Sequence, residues 1–310
     1  MPLTIQYNVK EKKMAYSLFD AHCDTILKIY QSGKSLYDSP YHVSIKKLKN
    51  FEKSTQVFAI FNDGSLLISD ILGIASLLKK ELKDCRFVTN TKNLNGTNAM
   101  LSVEGLGNTP DFTIGSITAL YDIGMRIAGI AYNNDNFLCG GIENNDKGLT
   151  PLGIRALKEM ENINMVLDVS HISDKGFYEC LDTFNGKIIA THSNSRAVCN
   201  QMRNLTDDQF LQIKNRGGVI GINLYPMFLN GTEKASVTDA VKHIEHFLSL
   251  GGENSIGIGA DFDGISYTMN DICDVSKMNF LFEELAKLNY SDDIIAKISH
   301  LNFENILQNV

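Results

Sequence analysis

Three of the chain's seven histidines, His22, His171 and His192, stand at the ends of short apolar runs, with carboxylates near them in sequence. In LFDAHCDT, His22 and Asp24 are two residues apart. On an extended strand both side chains leave the same face and can hold one cation together. Glu104 in LSVEG lies between an apolar run and a glycine, placed so that one carboxylate can bridge two ions ~3.5–4 Å apart. His171 in VLDVSHIS and His192 in IIATHSNSR each follow a buried-looking run, where neutral imidazole is a good zinc ligand. Two ions so held lower the pKa of a shared water toward ~7 and polarise a carbonyl, which amide hydrolysis near neutral pH needs. Asp261 in IGIGADFDG is a carboxylate near that water, able to move its proton to a leaving nitrogen, and Asp263 is the rival for the role.

Each residue also has a bland explanation. An isolated HxD is a surface pair or a satisfied core histidine, Glu104 is a helix-start glutamate, and His171 and His192 are histidines hydrogen-bonded in a core. The DxDG stretch is a turn whose aspartates cap backbone amides. Taken jointly these explanations weaken, because they require several separate coincidences at the ends of apolar runs.

Eight short hydrophobic runs carry these residues at or near their ends, at 17–20, 57–61, 101–103, 127–131, 165–169, 187–190, 218–222 and 255–260. Each has the look of a buried parallel strand. Between them lie amphipathic stretches at 66–82, 151–162, 175–184, 206–215 and 237–250. Thr206 followed three positions later by Gln209 is a capping-box pattern that starts a helix. The stretch 89–97 reads as a loop, and the tail after Ser291 as a terminal helix. Alternating strands and helices predict a parallel sheet with crossover helices, either open or closed. The polar residues favour closure: in a barrel the candidate residues at the strand ends all face one mouth, where such barrels keep their active sites. The expected fold is an α/β (β/α)8 TIM-type barrel, one domain over 1–310 with an N-terminal extension at 1–16.

Composition removes other classes. At 310 residues, 44% hydrophobic and with 5 prolines, the chain suits an ordinary globular protein. A net charge of -7 with scattered basic residues excludes nucleic acid as the main ligand. No signal-like h-region follows the opening residues and no run of ~18 apolar residues occurs, so neither secretion nor a membrane span is expected. Six cysteines, Cys23, Cys85, Cys139, Cys180, Cys199 and Cys273, lie far apart with no CxxC pair, which reads as reduced thiols and a cytoplasmic home.

The motifs FDAHCDT, SVEG, YDIGMR, GLTPLG, VLDVSHIS, ATHSNSRAV, RNLTDDQ, GGVIGIN and GIGADFDG occur in the order found in the membrane (renal) dipeptidase family, which the chain resembles from about Ser17 to its end. This family is a branch of the amidohydrolase-type metallopeptidases. The resemblance implies a (β/α)8 barrel with two zinc ions, His22 and Asp24 on one, His171 and His192 on the other, and Glu104 bridging. It also implies that Arg203 grips the substrate carboxylate, a task that suits a two-pronged guanidinium, and that Asp261 lies near the reacting nitrogen. One departure is GIAYNNDN, which presents Tyr132 where some family members carry a histidine thought to contact the substrate carbonyl. Tyr132 either donates a hydrogen bond there through its phenol or the role is lost. Family members often form dimers, so a homodimer is a further implication.

A zinc-dependent dipeptidase is therefore the expected function, with a small-molecule dipeptide as substrate. A metal-dependent hydrolase of another small amide, such as an N-acyl amino acid or a lactam, and a decayed barrel acting as a binding protein stand as alternatives.

Overall fold

In the computed structural model, residues 16–144 and 146–310 are described; the expected extension over 1–16 lies, except for Tyr16, outside them. Among the described residues nine strands form one sheet in which all neighbours are parallel: β1 (Leu18–Cys23), β2 (Ser54–Phe61), β3 (Arg86–Phe87), β4 (Thr97–Glu104), β5 (Ile127–Gly129), β6 (Val166–Asp168), β7 (Ile188–Ile189), β8 (Ile220–Ile222) and β9 (Ile256–Ile258). The order is β7-β6-β5-β4-β2-β1-β9-β8, with β3 attached outside that path to β4. The ends of this path meet: Ala190, next to β7, pairs with Ile220, and its carbonyl accepts from Gly221 N at 2.8 Å. Eight strands thus close a (β/α)8 barrel, the expected fold.

Side-chain alternation along the strands separates two cores. Phe19, Val57, Met100, Ile127, Val166, Ile189 and Val219 pack together inside the barrel. Leu18, Phe58, Leu101, Ala128, Leu167, Ile188 and Ile220, one position out of phase, pack outward with the apolar stripes of the helices. Phe303, from the C-terminal segment, closes the barrel floor by stacking on Phe19 with ring centroids 5.4 Å apart. A Cβ at position 257 would lie 2.4 Å from that ring, so β9 needs glycine there.

The amphipathic stretches fold as helices Ile68–Glu81, Pro151–Asn162, Asp174–Thr183, Asp207–Asn215 and Val237–Ser249. The Thr206 cap forms in both directions: Gln209 N donates to Thr206 Oγ1 and Thr206 N donates to Gln209 Oε1. The tail is helical at Asp292–Ala296 and Asn302–Ile306 with a π turn, Lys297–Leu301, between. Five of the strands are shorter than the expected runs and three are longer. β1 continues past 20 to Cys23, β2 starts at Ser54, and β4 starts at Thr97, at the end of the expected loop. These extensions carry Thr55, Gln56 and Asn98, polar side chains that are nonetheless fully buried, so an apolar pattern could not reveal them.

Candidate active site

His22 lies on β1, Glu104 ends β4, and His171, His192 and Asp261 follow β6, β7 and β9. All therefore stand at the carboxyl ends of barrel strands, and all but Asp261 are less than a tenth exposed. Asp24 is not on the strand: it precedes helix Thr25–Ser32 with φ -98° and ψ 10°. The strand-to-helix corner, rather than an extended strand, brings its Oδ2 to 3.5 Å from His22 Nε2.

Glu104 occupies the centre. Its Oε2 is 3.5 Å from His22 Nε2, while its Oε1 is 2.8 Å from His171 Nε2 and 3.5 Å from His192 Nε2. Two groups of donor atoms, His22 with Asp24 and Glu104, and His171 with His192 and Glu104, are each close enough to hold a metal ion and share only Glu104. A third group, His22 with His192 and Asp261, crosses between them. His22 Nε2 and Asp24 Oδ1 are buried without a hydrogen-bond partner. Orphaned atoms of this kind cost free energy unless something binds them, and imidazole nitrogens facing carboxylate oxygens are a donor set that suits zinc. The residues present fit a metal.

Burial opposes a charge on His22, but Glu104 and Asp24 outweigh it and raise its pKa. Burial likewise opposes the charge on Glu104, yet the facing His171 and His22 hold its carboxyl well below the usual range. His171 is pushed down to about 4 by burial and then by the Arg203 charge. His192 is lowered by burial, His22 and Arg203. Two of the three imidazoles are thus neutral, the form that binds metals.

Asp261 lies opposite, its Oδ1 3.9 Å from His22 Nε2 and its Oδ2 accepting from Asn223 Nδ2 at 2.9 Å. Burial pushes its carboxyl up to about 8; His22 opposes the push, and Asp24 and Glu104 add to it. The backbone is left-handed at His171 (φ 67°), Asp261 (φ 63°) and Asp263 (φ 69°), a conformation that costs non-glycine residues and clusters at working sites. The two aspartates of the DxDG stretch face different ways. The Asp263 carboxylate accepts from His42 N at 3.1 Å, Val43 N at 3.4 Å and the Thr25 hydroxyl, so this aspartate caps backbone amides while Asp261 faces the cluster.

The cluster floors a cavity of about 390 Å³ whose walls include Phe61, Tyr132, Asn133, Tyr225 and Phe228, with Lys28 and Gln31 on the lining. Tyr132 packs between Phe61 and His171 at centroid distances of 4.5 and 4.8 Å. Burial pushes its phenol up to about 12, so it stays protonated. Arg203 does not line the cavity. It is buried behind His192, donating to Ser193 Oγ and the His192 carbonyl, each at 2.8 Å.

Sequence reasoning missed Asn133, Asp168, Thr191, Asn223 and Gly264. Asn133 Oδ1 holds His171 Nδ1 at 2.8 Å, and Asn223 holds Asp261. Asn223 directly follows β8, so the strand-end rule that found His192 could have found it.

A closed barrel with its buried polar cluster at the carboxyl ends of the strands has the layout of a barrel enzyme. The family model described as Membrane dipeptidase (Peptidase family M19) matches residues 9–310, and the chain belongs to that family. An uncharacterized protein from the pqqA 5' region of Klebsiella pneumoniae is 32% identical over 205 residues, 63% of this chain and 75% of that protein. An uncharacterized dipeptidase of Schizosaccharomyces pombe is 32% identical over 216 residues, 67% of this chain, and the match spans about half of that protein, 52%. Among solved structures, the metallo peptidase dipeptidase AC superposes with a TM-score of 0.85 at 21% identity, covering 95% of this chain and 98% of that one. A Rhodobacter sphaeroides metallo peptidase, liganded with a phosphinate mimic of the dipeptide L-Ala-D-Ala, gives 0.85 at 20% identity, covering 95% and 99%. At these identities the superpositions establish the fold. The family implies a metal cofactor, for which the His, Asp and Glu groups are the candidate ligands. Among the described residues no helix is long and apolar enough to cross a membrane.

Proposed function

We propose that the protein is a binuclear zinc dipeptidase. The observation that carries this reading is the orientation of Glu104, one carboxylate oxygen toward His22 and the other toward His171 and His192. His22 and Asp24 would hold one ion, His171 and His192 the second, and Glu104 both. Zinc bound there supplies Lewis acidity, polarising the scissile carbonyl and lowering the pKa of water toward ~7.

The chain's own groups supply the rest. Asp261, half-buried and oriented by Asn223, takes a proton at its free oxygen and returns it to the leaving amine. The protonated Tyr132 phenol donates a hydrogen bond to the carbonyl oxygen as it gains charge, a task within reach of a tyrosine standing beside His171. Arg203 acts on the substrate carboxylate by its positive charge behind His192, while Lys28 is the cation on the cavity lining itself. The fully buried Cys139 and Cys180 thiols, both free, suit a reducing compartment, and we place the protein in the cytoplasm.

The test is hydrolysis of L,L and L,D dipeptides, an N-acetyl amino acid and a tripeptide, before and after zinc removal and restoration. Zinc-dependent cleavage confined to dipeptides is expected. A protein that retains zinc and cuts none of the dipeptides contradicts the reading.

A further inference from the structure

Asp168 and Thr191 touch the cluster from behind, at the ends of β6 and β7. The Asp168 carboxylate is buried, and its Oδ1 accepts from Ser170 N at 3.0 Å and Thr191 N at 2.9 Å, while its Oδ2 takes the Thr191 hydroxyl. A threonine hydroxyl has one proton and two lone pairs. An ionised carboxylate only accepts, so that proton is committed to Asp168. Thr191 Oγ1 therefore presents lone pairs to its other two neighbours, His192 Nδ1 at 2.7 Å and His22 Nδ1 at 3.4 Å. Both Nδ1 atoms must carry hydrogen. The Nε2 atoms, which face Glu104, are then the positions left to bind.

We propose that Asp168 and Thr191 are positioning residues that fix His22 and His192 as Nδ1–H tautomers, presetting with one hydroxyl a ligand for each of the two ions. The inference rests on the two-metal reading. His171 is set separately, by Asn133, so loss of the Thr191 hydroxyl should loosen both metal positions without freeing every histidine.

The experiment titrates metal-free wild type, Thr191→Val, Thr191→Ser and Asp168→Asn with zinc against a chromophoric chelator. Long-range 1H–15N spectra of the metal-free proteins are recorded alongside. Thr191→Val should weaken zinc binding about 10–100-fold, Asp168→Asn should weaken it in the same direction, and Thr191→Ser should stay within about threefold of wild type. The spectra should show the Nδ1–H tautomer for the neutral His192 ring in wild type and the serine variant, and mixed tautomers of that ring in the valine variant. Unchanged zinc affinity and unchanged tautomers in folded Thr191→Val or Asp168→Asn would overturn the inference. A wild type that binds no zinc sinks the metal reading instead, and the tautomer spectra still decide whether Thr191 sets the rings.

Discussion

In the proposed mechanism, individual side chains at the mouth of the barrel divide the chemistry between holding and proton transfer. Glu104 faces all three cluster histidines, whereas Asp261 stands beside His22 and His192 and is oriented by Asn223. The two carboxylates should fail differently when neutralised. Glu104→Gln is expected to lose both bound zinc and activity. Asp261→Asn should keep its zinc and lose about 10²–10⁴-fold in kcat, the usual worth of a general acid–base group. Metal analysis beside steady-state kinetics separates the two, and equal zinc loss in both variants would contradict the division. His22, Asp24, Glu104, His171 and His192 were readable because their types are uncommon at the ends of apolar runs. Thr191 and Asp168 were not, since a threonine or aspartate beside a histidine has no distinctive spacing, and only the fold shows one hydroxyl between two rings.

Elements matter here mainly for where they end. The loop after β9 turns through Asp261 and Asp263 in the left-handed region and then passes so close to the cluster that a Cβ on Gly264 would lie 2.2 Å from Asp24 Oδ2 and 2.4 Å from Asp261 Oδ1. Gly264→Ala must therefore push both carboxylates aside. Loss of zinc and of activity with a near-native circular dichroism spectrum is the expected outcome, and a fully active alanine variant would contradict this packing. The eight barrel strands were legible as apolar runs, although β1, β2 and β4 prove longer than those runs. Two-residue β3 escaped because Arg86 and Phe87, exposed and half-buried, lack the apolar signature of a barrel strand.

For the molecule as a whole, a buried histidine remote from the cluster ties stability to pH. His243 is fully buried, accepts from Ser195 N at 3.1 Å and meets the Leu229 carbonyl through Nε2 at 2.8 Å, tying the loop after β7 to helix Val237–Ser249. Burial lowers its pKa from 6.5 to about 4. Between those values the unfolded chain binds a proton that the folded chain does not, so stability rises with pH across the window and is lost as pH falls through it. The full effect is about 3 kcal/mol for this one group. Urea unfolding at pH 7 and pH 5 should show the loss, and His243→Gln, which keeps a donor and an acceptor, should flatten it; an unchanged pH dependence in that variant would contradict the assignment.

In the proposed function two zinc ions, sharing Glu104, make this barrel a dipeptidase. The most direct test is to add zinc in measured equivalents to the metal-free protein while following dipeptide hydrolysis. Activity should appear with zinc and stop rising at two equivalents per chain. Full activity at one equivalent, or in the metal-free protein, would contradict this reading.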